Sequence, residues 1–136
     1  MRYLAIDLGD KRTGLAAGDD VTGVVAPLAV IHQPRGPALE RALLEAVAEH
    51  APDALVIGLP LNMDGSEGPA ALAARQFGES VRHASNRPIH YHDERLSSFA
   101  AEERLHRSGR THREKRRIRD ALAAAEILRD FINRDR

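Results

Sequence analysis

The sequence predicts an α/β domain in which five strands form one mixed sheet flanked by helices. Three apolar segments near the N-terminus are joined by connections too short for a crossover, which favours antiparallel hairpins. Two later apolar segments are each preceded by a stretch with helical periodicity, as in parallel β-α-β units. The 136 residues are enough for a single domain with one buried core.

The first three strands are predicted at residues 2–8, 13–18 and 26–32, between turns that contain Gly and Asp. A helix follows, introduced by Pro34 and Pro37 and continuing to about residue 50. Its apolar positions recur at i, i+4 and i+8 and are Leu39, Leu43 and Val47.

The fourth strand is predicted at residues 54–58, a continuous apolar run that indicates a strand covered on both faces. A long loop at 58–68 then leads to a helix with Pro69 near its first position. We expect this helix to bury a stripe formed by Ala70, Ala74, Phe77 and Val81.

The fifth strand is predicted at residues 89–92, and a short helix is expected at 98–107. Gly109 interrupts the chain, and a last helix is predicted at 113–133. No repeat, linker or low-complexity segment divides the sequence, so we expect one domain over residues 1–136.

Charge is balanced overall but uneven along the chain. Lys plus Arg and Asp plus Glu number 20 each, so no global positive field marks a nucleic-acid binder. From Arg104 to Arg119, however, eight basic residues face one acid, Glu114. A basic run of this density favours phosphate binding over a merely solvated surface.

Two absences bear on the cellular compartment. The chain has no Cys, which suits a reducing cytoplasm. No apolar run approaches the length of about 20 residues that spans a membrane, and the N-terminus enters a strand directly. We therefore expect a cytoplasmic protein with no membrane partner, and the sequence leaves open whether it is a monomer or a homodimer.

The first strand ends in a carboxylate, Asp7, and Gly9 and Gly14 follow it. A carboxylate at the end of a buried strand holds its charge in a rigid and partly dry position, which is costly unless a cation pairs with it. That cation would be a metal ion, an arginine or a lysine. The alternative is an ordinary turn, since Asp and Gly both favour turns.

Further acidic residues are predicted at the same edge of the sheet. In mixed α/β sheets, sites gather at the carboxyl ends of the parallel strands. Asp7 ends the first strand, the loop at 58–68 follows the fourth, and Asp93 and Glu94 follow the fifth. Because successive side chains of a strand alternate, Asp93 should point away from Glu94 and support the site from behind.

The last predicted helix turns a carboxylate towards the sheet. Asp120 shares a stripe with Ala124, Ile127 and Phe131, at the spacing i, i+4, i+7 and i+11. An inward carboxylate is costly unless it is paired. A structural salt bridge to Arg95 or another nearby arginine is one explanation. The other is that Asp120 meets Asp7 and Glu94 around a divalent cation.

Clustered carboxylates are typical ligands of the metal ions that assist phosphodiester hydrolysis. Oxygen ligands suit Mg²⁺ or Mn²⁺, which activate a water and stabilise the leaving oxygen. His90 and His92 alternate with Glu94 and would share its strand face, but two histidines in a strand are more often surface residues than metal ligands.

Four ordered motifs resemble the YqgF (RuvX-type) family over nearly the whole chain. They are D-L-G-D-K-R-T-G at 7–14, G-L-P-L-N-M-D-G-S at 58–66, D-E-R-L-S-S at 93–98, and Asp120 before the A-A and I-L pairs. The resemblance implies an RNase H-like fold. It also implies one of two activities, processing of the 5′ end of pre-16S rRNA or resolution of Holliday junctions.

Carried over by motif, the family's catalytic and metal-binding carboxylates correspond to Asp7, Glu94 and Asp120. One departure is Arg119, since the family usually has an apolar residue before the last Asp. On a helix Arg119 lies about 100° from Asp120, so we expect a changed surface and an unchanged site. We expect nucleic acid to be bound by Lys11, Arg12, Asn62, Ser66, Arg95, Arg113, Lys115, Arg116 and Arg117.

The sequence thus predicts a nuclease dependent on Mg²⁺ or Mn²⁺, most simply one that processes pre-16S rRNA. A Holliday junction resolvase acting on branched DNA and a non-catalytic nucleic-acid adaptor are the alternatives. An ATP-binding enzyme is a further rival, because D-x-G-x-x-x-x-G also opens the phosphate hairpin of actin and the sugar kinases. Those proteins close a second such domain over the nucleotide, and 136 residues cannot supply one.

Overall fold

A computed structural model describes residues 1–95, 109 and 111–134, without the side chains of residues 115 and 116. Its sheet has five strands in the order β3-β2-β1-β4-β5. β1 pairs antiparallel with β2 and β2 with β3, whereas β4 runs parallel to both β1 and β5. The elements are β1 (Arg2–Leu8), β2 (Thr13–Asp19), β3 (Val25–Ile31), α1 (Pro37–His50), β4 (Ala54–Leu59), α2 (Pro69–Ser85), β5 (Ile89–Asp93) and α3 (His112–Asn133).

The mixed sheet predicted from the sequence is confirmed, and each predicted strand end lies within one residue of the observed one. The helix predicted at 98–107 lies outside the described residues. α3 begins one residue earlier than predicted because Thr111 caps it. The Thr111 side chain accepts from the Glu114 amide, and Glu114 accepts in return from the Thr111 amide, a reciprocal capping box.

The sheet is covered on both faces, so the core has two layers. α1 and α2 cover one face, where Leu4 and Ile6 of β1 pack among buried aliphatic side chains. α3 covers the other face, where Ala5 of β1 packs against Ala124 and Phe131. All six residues of β4 are buried, as predicted for a strand covered on both sides.

The stripe predicted for α2 is confirmed at three positions, with Phe77 partly buried against the core, and is wrong at the first. Ala70 is exposed and Ala71 is buried, while Ala74 and Val81 are buried as expected. The helix also buries Gly78, because a Cβ at that position would lie 2.5 Å from the Tyr91 hydroxyl. Contact with β5 at a residue without a side chain therefore sets the rotation of α2, and apolar periodicity alone does not reveal it.

The stripe predicted for α3 is confirmed at Ala124, Ile127 and Phe131, which are all buried. Asp120 lies one turn before them and is partly buried. No helix in the described parts of the chain is long and apolar enough to span a bilayer.

Candidate active site

The register of the strands places the predicted acidic residues on one face. Tyr3 and Ala5 belong to the core layer beneath α3, whereas Leu4 and Ile6 belong to the opposite layer. Because side chains alternate along a strand, Asp7 follows Tyr3 and Ala5 onto the α3 face. It lies at the carboxyl end of β1, where the residues of the strand change from buried to partly exposed.

Glu94 reaches the same face from the other side of β4. β4 lies between β1 and β5 and pairs with both of them. The carboxyl ends of β1 and β5 are therefore separated by the width of one strand. The last residue but one of β4 is Gly58, and a Cβ there would lie 2.5 Å from Glu94 Oε2 and 2.7 Å from Ile127 Cδ1. The missing side chain at Gly58 leaves the space in which the two carboxyl groups approach each other.

Asp7 and Glu94 share a hydrogen bond and hold a proton between them at neutral pH. The pKa of Glu94 is raised to about 8, first by burial and then by the charge of Asp7 and the hydrogen bond to it. Burial raises the pKa of Asp7 to about 6, the charge of Asp120 adds to this, and the hydrogen bond from Glu94 opposes it. Glu94 is therefore the donor and Asp7 the acceptor.

These raised pKa values predict that the metal-free protein loses stability as pH rises. A carboxyl group whose pKa in the folded state exceeds its unfolded value near 4 stabilises the folded state at low pH. This stabilisation is lost as the pH rises through the pKa of the folded state. We expect the urea midpoint in EDTA to fall from pH 5 to pH 9. Glu94→Gln should flatten this decline, and parallel pH curves for the parent and Glu94→Gln would contradict the shared proton.

Asp120 is placed by a close approach of backbone to backbone. A Cβ at Gly14 of β2 would lie 1.8 Å from the Asp120 carbonyl oxygen, so α3 lies directly on the strand at this point. Gly14 pairs with Asp7 in the antiparallel ladder. The helix thereby brings Asp120 beside Asp7, close enough for its charge to raise the Asp7 pKa.

The cation beside Asp120 is Arg12, and the predicted partner Arg95 lies elsewhere. Arg12 Nε is 3.1 Å from Asp120 Oδ2. Its N–H is not aligned for a hydrogen bond, and Oδ2 is buried without a hydrogen-bond partner among the described residues. The ion pair is therefore loosely held, and one buried lone-pair acceptor is left for another ligand.

Arg95 joins the end of β5 to the loop after β4. Its Nε donates to both carboxylate oxygens of Asp93, at 3.1 and 2.8 Å, and its Nη1 donates to the Met63 carbonyl at 3.1 Å. The Glu94 amide donates to the Leu59 carbonyl at 3.3 Å. Asp93 thus holds Arg95, which links the end of β5 to this loop.

The loop between β4 and α2 is ordered by its own polar side chains. The Ser66 amide and hydroxyl both donate to Asp64 Oδ1, at 2.9 and 2.5 Å, and Asn62 Nδ2 donates to Ser66 Oγ at 3.0 Å. These hydrogen bonds occupy the groups of Asn62 and Ser66 that the sequence suggested for phosphate, so in this structure both residues shape the loop.

Residues 1–134 match the family described as RuvX, Holliday junction resolvase. The chain belongs to the RuvX family. Its relatives include a protein of Anaeromyxobacter sp. (strain Fw109-5) named "Putative pre-16S rRNA nuclease". That protein is 44% identical over 133 residues, which are 98% of this chain and 97% of the relative.

Two solved structures share the fold of this RuvX family member. The fowlpox virus Holliday junction resolvase superposes with a TM-score of 0.61 at 13% identity, covering 98% of this chain and 99% of the other. Thermus thermophilus RuvC in complex with a Holliday junction substrate gives 0.60 at 16% identity, covering 96% and 95%. At these identities the likeness concerns the fold alone, and it confirms the RNase H-like architecture.

The carboxylates of this RuvX family member fit a hard divalent cation by their chemistry. Asp7, Glu94 and Asp120 offer only oxygen donors, and the buried Asp120 Oδ2 has no hydrogen-bond partner among the described residues. In the described parts of the chain, no three acidic, His or Cys side chains are already close enough to hold an ion. In this arrangement Glu94 is hydrogen-bonded to Asp7, and Asp120 is paired with Arg12.

The histidines on the same face have other partners. His92 Nε2 lies 2.6 Å from Asp130 Oδ2 of α3. The His90 ring packs beside Tyr3 and Phe131, with ring centroids 6.3 and 5.2 Å apart. Both residues share the face of Glu94, as predicted, and serve to seat α3 on the sheet.

A cleft of about 670 Å³ opens beside Asp120, and its lining carries Asp10 as well as basic side chains. It is lined by the turn between β1 and β2, with Lys11 and Arg12, and by His32 after β3. No sequence pattern pointed to His32, which lies at the cleft because β3 returns beside β2. Arg113 and Arg117 are exposed on α3 nearby in the chain, and the side chains of Lys115 and Arg116 lie outside the described residues.

Proposed function

We propose that this chain is a divalent-metal-dependent nuclease that processes the 5′ end of pre-16S rRNA. The observation that carries the proposal is the half-buried pair of Asp7 and Glu94, which holds two carboxyl groups together at a cost that a cation would relieve. The name of the relative from Anaeromyxobacter supports RNA as the substrate. The chemistry of the site supports hydrolysis of a phosphodiester bond.

Asp7, Glu94 and Asp120 would hold Mg²⁺ or Mn²⁺, which supplies water activation and charge neutralisation at phosphorus. A bound cation would favour the ionised form of Glu94, because positive charge offsets the burial that raises its pKa. Lys11 and Arg12 line the adjacent cleft and attract the phosphate backbone. Arg95 keeps the loop after β4 fixed against the end of β5.

Arg12→Ala should change metal binding and RNA binding in opposite directions. Arg12 neutralises Asp120, so its removal frees a cation ligand and should tighten Mn²⁺ binding up to about fivefold, since a partly exposed ion pair contributes at most about 1 kcal/mol. RNA affinity should fall and should depend less steeply on salt concentration, because one phosphate contact is lost.

Calorimetry with Mn²⁺ and salt-titrated RNA binding measure the two effects of Arg12→Ala. Lys11→Ala is the control, because it removes a cation from the same cleft without changing the partner of Asp120. It should weaken RNA binding alone. Equal effects of both variants on Mn²⁺ affinity would contradict the role of Arg12 at Asp120.

Resolution of Holliday junctions is the second candidate, favoured by the description of the family that the chain matches. A single experiment separates the two. The protein is mixed with a precursor RNA carrying the 5′ extension of 16S rRNA, or with a four-way DNA junction, in Mg²⁺, Mn²⁺ or EDTA. Metal-dependent cutting of the RNA supports the main proposal, cutting of the junction alone supports the second, and cutting of neither refutes both.

A further inference from the structure

Met63 is a solvent-exposed apolar side chain in a loop next to the charged residues of the candidate active site. It is 91% exposed, the highest value among the large hydrophobic residues that the structure describes. It lies in the loop between β4 and α2, at the carboxyl ends of the parallel strands. The polar side chains next to it in sequence are hydrogen-bonded to each other, and Leu61 packs inward against the cluster of Leu59, Ala71 and Ala74.

The loop holds the Met63 backbone in one place. The Gly65 amide donates to the Asn62 carbonyl at 2.9 Å, and the Asn62 amide donates to the Ser66 carbonyl at 2.9 Å. Gly65 has a φ of +88°, as a three-residue turn of this kind requires at its last position. Met63 therefore occupies the tip of a closed turn, so its backbone needs no further ordering to present the side chain.

The same turn is tied to the candidate active site. Arg95 Nη1 donates to the Met63 carbonyl, and Arg95 is held in turn by Asp93. Glu94 lies between these two residues in sequence and donates its amide to the carbonyl at the end of β4. The position of Met63 is thus fixed relative to Glu94 through direct hydrogen bonds.

We propose that Met63 is a wedge that packs against the face of an unstacked base next to the scissile phosphate. This inference rests on the proposed nuclease function and names the feature of the substrate that is recognised. Apolar side chains of this type insert at base steps and separate them, and a flexible thioether adapts to any base. The structure thereby favours substrates already unpaired or branched at the cut, because unstacking an intact duplex costs a few kcal/mol.

The test uses RNA with 2-aminopurine beside the cleavage site, either within a continuous duplex or at the junction of a duplex and a single-stranded 5′ extension. Binding is measured in the Asp7→Asn background with Ca²⁺, so that no cutting occurs. We expect 2-aminopurine fluorescence at the junction to rise on binding, because the base is unstacked. Met63→Ser should lose this rise, and Met63→Leu should keep it.

The cleavage assay uses Met63→Ser with Asp7 intact. Its preference for the junction over the continuous duplex should fall about tenfold, the effect of losing about 1.4 kcal/mol of apolar contact. Val21→Ser is the matched control, since Val21 is 80% exposed in the turn at the opposite end of β2 from the site. It should leave both the fluorescence rise and the preference unchanged.

The outcomes distinguish the wedge from the nuclease function itself. A protein that cuts the junction RNA with the same preference and the same fluorescence rise after Met63→Ser overturns the wedge alone. A parent protein that neither binds nor cuts the RNA overturns the proposed function and the wedge with it. Equal losses in Met63→Ser and Val21→Ser also overturn the wedge, because any exposed apolar residue would then have the same effect.

Discussion

Asp7→Asn should abolish cleavage, by on the order of 10³-fold or more, while the protein remains folded. The substitution preserves the shape of the side chain and removes its charge, so the cation loses a ligand and the phosphorus loses charge stabilisation. Affinity for RNA should stay the same or rise at low metal concentration, because phosphate then meets less negative charge. Single-turnover cleavage and binding by fluorescence anisotropy measure the two quantities separately.

The stability of Asp7→Asn distinguishes a lost ligand from a damaged fold. Without metal at pH 8, the variant should melt at a higher temperature than the parent, because one of two crowded carboxylates is gone. Added Mg²⁺ should raise its melting temperature less than it raises that of the parent. Glu45→Gln, at an exposed carboxylate on α1 across the sheet from the site, should behave as the parent in cleavage. A folded Asp7→Asn protein that cuts at the rate of the parent would refute the site.

Among the described glycines, Gly14 is the one where substitution by alanine should lower the free energy of unfolding most. A Cβ at Gly14 would lie 1.8 Å from the Asp120 carbonyl oxygen and 2.8 Å from the Ala121 amide nitrogen. Both are backbone atoms of α3, so the helix as a whole must move. We expect a loss of about 3 kcal/mol or more in the free energy of unfolding, at the upper end for overpacked cores. Cleavage should be lost as well, since Asp120 moves with the helix.

Gly68→Ala is the matched control for this prediction. A Cβ there would approach only the Asn62 side chain, at 3.2 Å, and that side chain is exposed and able to move. The Gly68 backbone is extended, with a φ of −97°, which alanine adopts without strain. We expect a loss below about 1 kcal/mol, the usual cost at a helix N-cap. Similar urea midpoints for Gly14→Ala and Gly68→Ala would contradict the close packing of α3 on β2.

The strands and the acidic edge of the sheet were accessible from sequence because they follow local rules. Alternation along β1 and β5 and the helical spacing of Asp120 placed the three carboxylates on one face. The buried run at 54–58 identified the central strand without any partner information. These features depend on residues near one another in the chain, and their periods of two and 3.6 residues are fixed by backbone geometry.

Features that depend on contact between distant segments were not accessible. The pairing of Arg12 with Asp120 joins a turn to a helix, and nothing local distinguishes Arg12 from Lys11 beside it. The shared proton of Asp7 and Glu94 depends on the absence of a side chain at Gly58, on a third strand. The burial of Gly78 in α2 was missed for the same reason, because it depends on contact with Tyr91 of β5.

The docking of α3 has a consequence for the order in which the protein becomes active. β1 and β5, which bring Asp7 and Glu94 to the sheet edge, are both synthesised before the helix that brings Asp120. A chain emerging from the ribosome therefore carries two acids of the site on an uncovered sheet and lacks the third. The proposed site would therefore be complete only once α3 has packed against β2, so its assembly depends on the docking of this one helix.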